Sequence, residues 1–151
     1  MHKNLYSLMA TGLGLLVLRL FLAYEFFEAG LEKWRGQNWF ADIQAQFPMP
    51  FSALPADINW QLATYAELVV PVLLVIGLLP RLSAGILIIL TSVAWYAVHS
   101  DAGYNVCQNG YKMALMYIVM LIPILMQGSG LFSVQYWLQK KSSLPCWFKH
   151  L

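Results

Sequence analysis

The sequence predicts an all-α integral membrane protein, a four-transmembrane-helix bundle in a single domain covering residues 1–151. Hydrophobic residues occupy 60% of the 151 positions and charged residues 11%, whereas about a quarter of the residues of a soluble domain are charged. Four apolar runs each approach the roughly 20 residues that a helix needs to cross a bilayer. The net charge of +2 is small and the basic residues are dispersed, which does not indicate nucleic-acid binding.

The ends of the four spans follow from caps and helix breakers. We predict the spans at about residues 8–33, 59–79, 82–99 and 110–128. Asn59 is a suitable N-cap for the second span, and Pro80 is expected to end it. Gly128 and Gly130 close the fourth span. Because almost nothing separates the second and third spans, they form a tight antiparallel hairpin.

A long aromatic loop follows the first span. Four of its apolar residues recur at helical spacing: Trp39, Phe40, Ile43 and Phe47. This pattern predicts a short amphipathic helix on the membrane surface, ended by Pro48. Because aromatic rings prefer the headgroup level, a plain interfacial belt is favoured over a lid that covers a ligand.

Lysine and arginine counts predict that both termini are cytoplasmic. With four spans, the side of the membrane shared by the termini and the short turn carries Lys3, Arg81, Lys140, Lys141 and Lys149. The opposite side carries Lys33, Arg35 and Lys112. Since cytoplasmic loops carry an excess of basic residues, the aromatic loop is expected to face the periplasm of a bacterial inner membrane.

Each span brings an ionisable residue to the same half of the bilayer. A charge at the bilayer centre costs about 2.5–3.5 kcal/mol on insertion scales, so such side chains usually face the bundle interior. We therefore predict a polar site in the outer half of the bundle. Its members are Arg19, Glu25, Glu28, Lys33, Glu67, His99 and Lys112.

Two interpretations of this site remain open. The charges either form a buried ion network that fixes helix register, or they bind a polar ligand or relay protons. The second interpretation is favoured because intramembrane charges are usually functional. Within the site, we expect Arg19 to pair with Glu67, which is the buried carboxylate of the second span.

Metal binding has weaker support. Met113, Met116 and Met120 recur at i, i+3 and i+7 and could offer thioethers to Cu(I), but this spacing is more typical of helix packing. His99 ends the third span, where a histidine more often caps the helix or lies at the interface than binds a metal. The chain has no phosphate loop, no His-Glu-x-x-His and no nucleophile elbow, so no self-contained enzyme is indicated.

Short motifs over about residues 15–138 resemble a known family. They are Arg19, Gly30-x-x-Lys33, Ala66-Glu67-Leu68, Gly77-Leu78-x-x-Arg81 and His99, and together they resemble the DoxX family. A second set resembles more particularly the HvfX-type subgroup: Phe26-Phe-Glu-Ala-Gly30, Glu32-Lys-Trp-Arg-Gly36 and Asn38-Trp-Phe40. That subgroup is associated with maturation of copper-binding modified peptides. The resemblance implies a bacterial inner-membrane protein linked to redox or copper handling, with quinone or copper as candidate cofactors.

The leading hypothesis is an accessory component of a redox or copper-binding peptide maturation system. Its expected partners are the lipid bilayer, proteins of that system and a second copy of the chain. The alternatives are a small transporter or exporter of a metal or modified peptide, and a membrane anchor for partner enzymes. Below Arg19 the spans offer only Thr11, Ser83 and glycines, which argues against an ion channel.

The orientation can be tested with the two cysteines, which are predicted to lie on opposite sides of the membrane. A membrane-impermeant thiol reagent should label Cys107 in cells with a permeabilised outer membrane, because its loop faces the periplasm. Cys146 should stay unlabelled until the inner membrane is broken. The reverse labelling pattern would overturn the orientation.

Overall fold

The computed structural model of the chain describes residues 2–128 and 130–141, with side chains for residues 6–128 and 130–140. These residues form five α-helices: α1 (His2–Arg35), α2 (Ala56–Ile76), α3 (Pro80–Ala94), α4 (Lys112–Gln127) and α5 (Val134–Lys141). A π-helical turn, Trp95–His99, continues α3. Two 3-10 helices, Phe40–Gln46 and Phe51–Ala53, lie in the loop between α1 and α2, which we call the aromatic loop.

Within the described residues, three helical segments are long and apolar enough to cross a membrane: Tyr6–Arg35, Ala56–Ile76 and Pro80–His99. The apolar helix α4 is shorter, with 16 residues. The all-helical architecture agrees with the membrane bundle predicted from the sequence. The count of four spans stays a prediction. The orientation also stays a prediction, and Cys146 and Lys149, which bear on it, lie outside the described residues.

The four long helices pack as a bundle in which α1 and α3 each contact both α2 and α4. We call the end at which α1 and α3 finish the loop end, because the aromatic loop lies there, and the opposite end the turn end. The centre of the bundle is filled by apolar side chains with no exposed surface, namely Leu22, Leu74, Leu87 and Leu121. The burial of these side chains from all four helices stabilises the bundle.

Several predicted helix ends are wrong. Helix α2 begins at Ala56 after Pro55, so Asn59 lies inside the first turns of the helix and is not its N-cap. The helix ends at Ile76 because Gly77 adopts a left-handed conformation with φ 72° and donates its N–H back to the last turn. Pro80 begins α3 instead of ending α2, since proline fits the first helical position.

The aromatic loop folds back over the bundle. The predicted amphipathic helix is present as the 3-10 helix Phe40–Gln46. Phe40 and Phe47 are buried and pack against Ala97, and the Phe40 ring meets the ring of Trp60 edge-on at 5.1 Å between centroids. This packing favours a loop that covers the loop end over a plain belt in the headgroup layer.

Arg19 joins three segments of the chain near the turn end. Its guanidinium donates to the carbonyl oxygens of Leu74 and Val75, both at 2.8 Å, and of Phe132 at 3.1 Å. The side chain is only 1% exposed. The last carbonyls of a helix have no intrahelical donor and lie at the negative end of its dipole, so a buried cation is stabilised there.

The predicted ion pair between Arg19 and Glu67 is wrong. Glu67 lies seven residues before Leu74, which places it about 10 Å further toward the loop end. The carboxylate of Glu67 pairs with Lys33 instead. Within the described part of the chain, Arg19 is a structural residue that holds the end of α2 and the segment before α5.

Replacing Arg19 with methionine should destabilise the protein without a contribution from Glu67. The change leaves three carbonyls without their cationic donor, and each such hydrogen bond contributes about 1.5–3 kcal/mol. The free energy of unfolding in detergent should fall by about 3 kcal/mol or more. Arg81→Met is the control, because Arg81 makes a longer, exposed hydrogen bond of 3.3 Å to Met126. If adding Glu67→Gln to Arg19→Met recovered the lost stability, Arg19 would pair with Glu67 after all.

Candidate functional site

A cavity of about 600 Å³ lies at the loop end of the bundle. Its wall is formed by α2, α3 and the aromatic loop, together with Lys33 of α1. Five polar residues contribute to the lining: Lys33, Asn59, Glu67, His99 and Asn109. Aromatic rings and aliphatic side chains form the remainder, and both the volume and this mixture are typical of sites that bind small molecules.

Lys33 and Glu67 form an ion pair on the wall of the cavity. The Lys33 Nζ lies 2.7 Å from Oε2 and 3.0 Å from Oε1 of Glu67. The two side chains are 18% and 6% exposed. Because both carboxylate oxygens accept from one ammonium group, the pair presents opposite charges to the cavity at almost the same place.

Gly30 explains how the two helices bring these charges together. A Cβ atom at Gly30 would lie 2.9 Å from the backbone carbonyl carbon of Glu67, so only glycine allows this close approach. Lys33 follows Gly30 by about one helical turn and its side chain reaches the carboxylate. The sequence motifs Gly30-x-x-Lys33 and Ala66-Glu67 therefore form one structural unit.

His99 lies at the end of the π-helical turn, where it lines the cavity. Its Nδ1 is 2.7 Å from the carbonyl oxygen of Asn109. A carbonyl oxygen only accepts hydrogen bonds, so this contact requires a proton on Nδ1. Single π-helical turns of this kind are frequent at functional sites.

Asn59 is one of two lining residues, with Asn109, that the sequence analysis missed as ligand-binding groups. The Asn59 side chain is 4% exposed, and its Nδ2 donates to the carbonyl oxygen of Phe51 at 2.8 Å. That contact fixes the amide orientation and leaves Oδ1 without a hydrogen-bond partner among the described residues. A buried acceptor in this state costs about 1–3 kcal/mol. The helical spacing of Asn59, Ala63 and Glu67 could have indicated it.

The other predicted site residues lie outside the cavity lining. Glu25 accepts a hydrogen bond from the hydroxyl of Tyr117 on α4, a contact that the sequence analysis missed. Lys112 lies 5.3 Å from the centre of the Tyr104 ring, a distance suited to a cation–π interaction. Glu28 is exposed on the surface of α1. The structure thus brings together Lys33, Glu67 and His99, and it separates them from Arg19, Glu25, Glu28 and Lys112.

The predicted methionine stripe lies on α4. Met116 is exposed, Met120 packs against the apolar core, and Met113 is half-buried. In residues 2–128 and 130–141, no group of three or more His, Cys, Asp or Glu side chains could hold a metal ion.

Comparison with known proteins identifies the family. Residues 14–100, which contain Lys33, Asn59, Glu67 and His99, match the DoxX family. A Haemophilus influenzae protein described as an uncharacterized protein is 55% identical over 141 residues, which span 93% of each chain. No solved structure matches the chain. Because the match covers more than half of the sequence, this multi-pass membrane protein belongs to the DoxX family.

Proposed function

We propose that this protein is an accessory component of a bacterial inner-membrane redox or peptide-maturation system, and that it binds the polar part of a small molecule in the cavity at the loop end. The observation that carries this proposal is the ion pair of Lys33 and Glu67 on the wall of an open cavity. Asn59 and His99, which line the same cavity, would orient the bound molecule.

A ligand site accounts for this arrangement better than a device that fixes helix register. An ion pair that only fixes register gains from tight apolar packing around it, because removal from water is its main cost. Here the pair borders a cavity of about 600 Å³. Asn59 also keeps an unpartnered acceptor near that cavity, which a register device does not require.

The transporter alternative receives less support from the geometry. Leu22, Leu74, Leu87 and Leu121 fill the bundle centre, and Arg19 binds the carbonyls near the turn end. A substrate crossing the bundle would have to displace both layers. A site that is closed toward the turn end suits binding or relay better than passage. The membrane-anchor alternative has no observation in its favour.

The two candidate cofactors differ in their fit to the cavity. Copper does not fit, because the lining contains no Met or Cys side chain and its one carboxylate is paired with an ammonium group. A quinone fits in its reduced form, whose ring hydroxyls would donate to Asn59 and His99 between the aromatic walls. When bound, it would supply electrons and protons to a partner protein. The finer HvfX-type assignment rests on the motifs of α1 and the aromatic loop alone.

The proposal is tested by removing both charges of the ion pair at once. Lys33→Met with Glu67→Gln leaves no unpaired charge, and replacing a buried ion pair by neutral residues is often close to neutral for stability. We expect the melting temperature in detergent to stay near that of the wild type. Complementation of a deletion strain, scored as growth under excess copper and under oxidant, should be lost because the ligand is no longer held.

The matched control removes the same charges outside the cavity. Arg35→Met with Asp42→Asn also deletes one cation and one anion at the loop end, and both residues are exposed. This control should complement as the wild type does. If the Lys33 and Glu67 double variant complements equally well per folded molecule, the pair is structural and the proposal is wrong.

A further inference from the structure

We infer that the cavity receives its ligand from the lipid phase through a gap between α2 and α3, and that the ligand is an amphiphile with an apolar chain and a hydroxyl head. This inference rests on the proposed ligand site and specifies what that site takes. It follows from the position of the cavity mouth, from the order of polar and apolar residues along the wall, and from the hydrogen-bonding groups left free.

The mouth of the cavity lies on the lipid-facing surface. Leu62 of α2 and Ile89 of α3 both line the cavity, yet they are 53% and 58% exposed. Both belong to segments long and apolar enough to span a membrane, so their exposed surface contacts lipid. A lipid chain can therefore enter between the two helices without passing through water.

The opposite face of the cavity is covered by the aromatic loop. Phe40 and Phe47 line the cavity and are buried, and Gln44 ties the loop together by donating to the carbonyls of Ser52 and Leu54. This covering separates much of the cavity from the aqueous side of the loop end. The lateral gap is consequently the route that requires the smaller rearrangement.

On α3 and the π-helical turn that continues it, the lining changes from polar to apolar with distance from the loop end, whereas on α2 the charged Glu67 lies about 12 Å deeper than Asn59. Asn59 lies near the start of α2 and His99 at the end of the segment that continues α3, so both mark the loop end. Ile86, Ile89 and Leu90 line the deeper part, and Ile86 precedes His99 by roughly 20 Å of helix. An amphiphile in this cavity keeps the orientation that it has in the leaflet, with its head outward and its chain toward the bilayer centre.

The head group follows from the hydrogen-bonding inventory. The Oδ1 of Asn59 is buried and has no partner among the described residues, so it lacks a donor. Nε2 of His99 can accept a donor in the neutral tautomer whose Nδ1 donates to Asn109. A charged head is disfavoured because Lys33 and Glu67 already neutralise each other. An uncharged hydroxyl supplies the donor, and it is carried both by glycerolipids and by reduced quinols.

The experiment uses the full chain in lipid nanodiscs and a pair of photoactivatable probes. The first probe is octadecanol with a diazirine in its chain, and the second is the methyl ether of the same molecule, which lacks the hydroxyl donor. After illumination, the labelled residues are mapped by mass spectrometry of peptides. We expect labelling of Ile86 and Leu90, which line the cavity and are only partly exposed, with the alcohol labelling about tenfold more than the ether, as the loss of one buried hydrogen bond predicts.

Two pairs of variants separately test the lateral entry route of the ligand and the recognition of its hydroxyl head. Ile89→Trp should block the gap and reduce cavity labelling, whereas Val119→Trp should not, because Val119 is equally exposed at 57% but lies on α4 away from the cavity. Asn59→Leu should abolish the preference for the alcohol. Gln61→Leu should keep that preference, since Gln61 is an exposed amide of the same helix.

Each contrary outcome overturns one part of the inference: the hydroxyl head, the lateral route or the amphiphile itself. Equal labelling by the two probes on the wild-type chain excludes the hydroxyl head, and this holds even if Asn59→Leu does not fold. Unchanged labelling of Ile89→Trp excludes the lateral route, and labelling confined to outward residues such as Val119 excludes an amphiphile in the cavity.

Separate experiments, which do not use the photoactivatable probes alone, test the source of the ligand and the proposed function. Solvent extraction of the purified protein, followed by mass spectrometry, distinguishes a bound glycerolipid from a bound quinol. If the double variant of Lys33 and Glu67 complements fully while the cavity is still labelled, the proposed function fails and this inference stands. If complementation is lost but neither probe labels the cavity, the inference fails alone.

Discussion

The close contact between α1 and α2 is the constraint on which the loop end depends. The backbone of Glu67 lies against Gly30, where a Cβ atom would overlap it. Because the helices approach so closely there, Lys33 reaches the Glu67 carboxylate and the pair forms one wall of the cavity. A larger residue at position 30 would separate the helices, so that the ion pair and the cavity wall would shift together. Helix spacing and charge placement thus have a single cause.

The two ends of the bundle differ in how completely their polar groups are satisfied. Near the turn end, Arg19 donates to three carbonyls from two segments, and Gln135 accepts a hydrogen bond from the N–H of Leu79. At the loop end the chain keeps a cavity, an unpartnered acceptor on Asn59 and a π-helical turn. Proteins usually depart from ideal packing at functional sites and offset the cost elsewhere. The contrast supports the proposal that the ligand site lies at the loop end.

The sequence predicted the fold better than it predicted the contacts within the site. Apolar length identified the helical segments, because burial in a membrane leaves a strong compositional pattern. The depth of Glu67 was clear from its position in the chain, but its partner was not, since Arg19 and Lys33 both lie on the neighbouring helix. Which of the two cations pairs with Glu67 depended on Gly30, because this glycine lets α1 approach α2 at the level of Lys33. Helix ends were missed at Pro80 and Asn59, where a proline or a capping residue has more than one common role.

The contacts of Arg19 also have a consequence for the biosynthesis of the chain. Its guanidinium lies in the first span, while the carbonyl of Phe132 that it binds is 113 residues further along the sequence. Ribosomes add about 5–20 residues per second, so this partner emerges roughly 6–23 s after Arg19 does. During that interval a cation sits in an apolar segment before its binding site is complete, because Leu74 and Val75 are synthesised earlier than Phe132. The full burial of Arg19 is therefore coupled to synthesis of the segment that precedes α5.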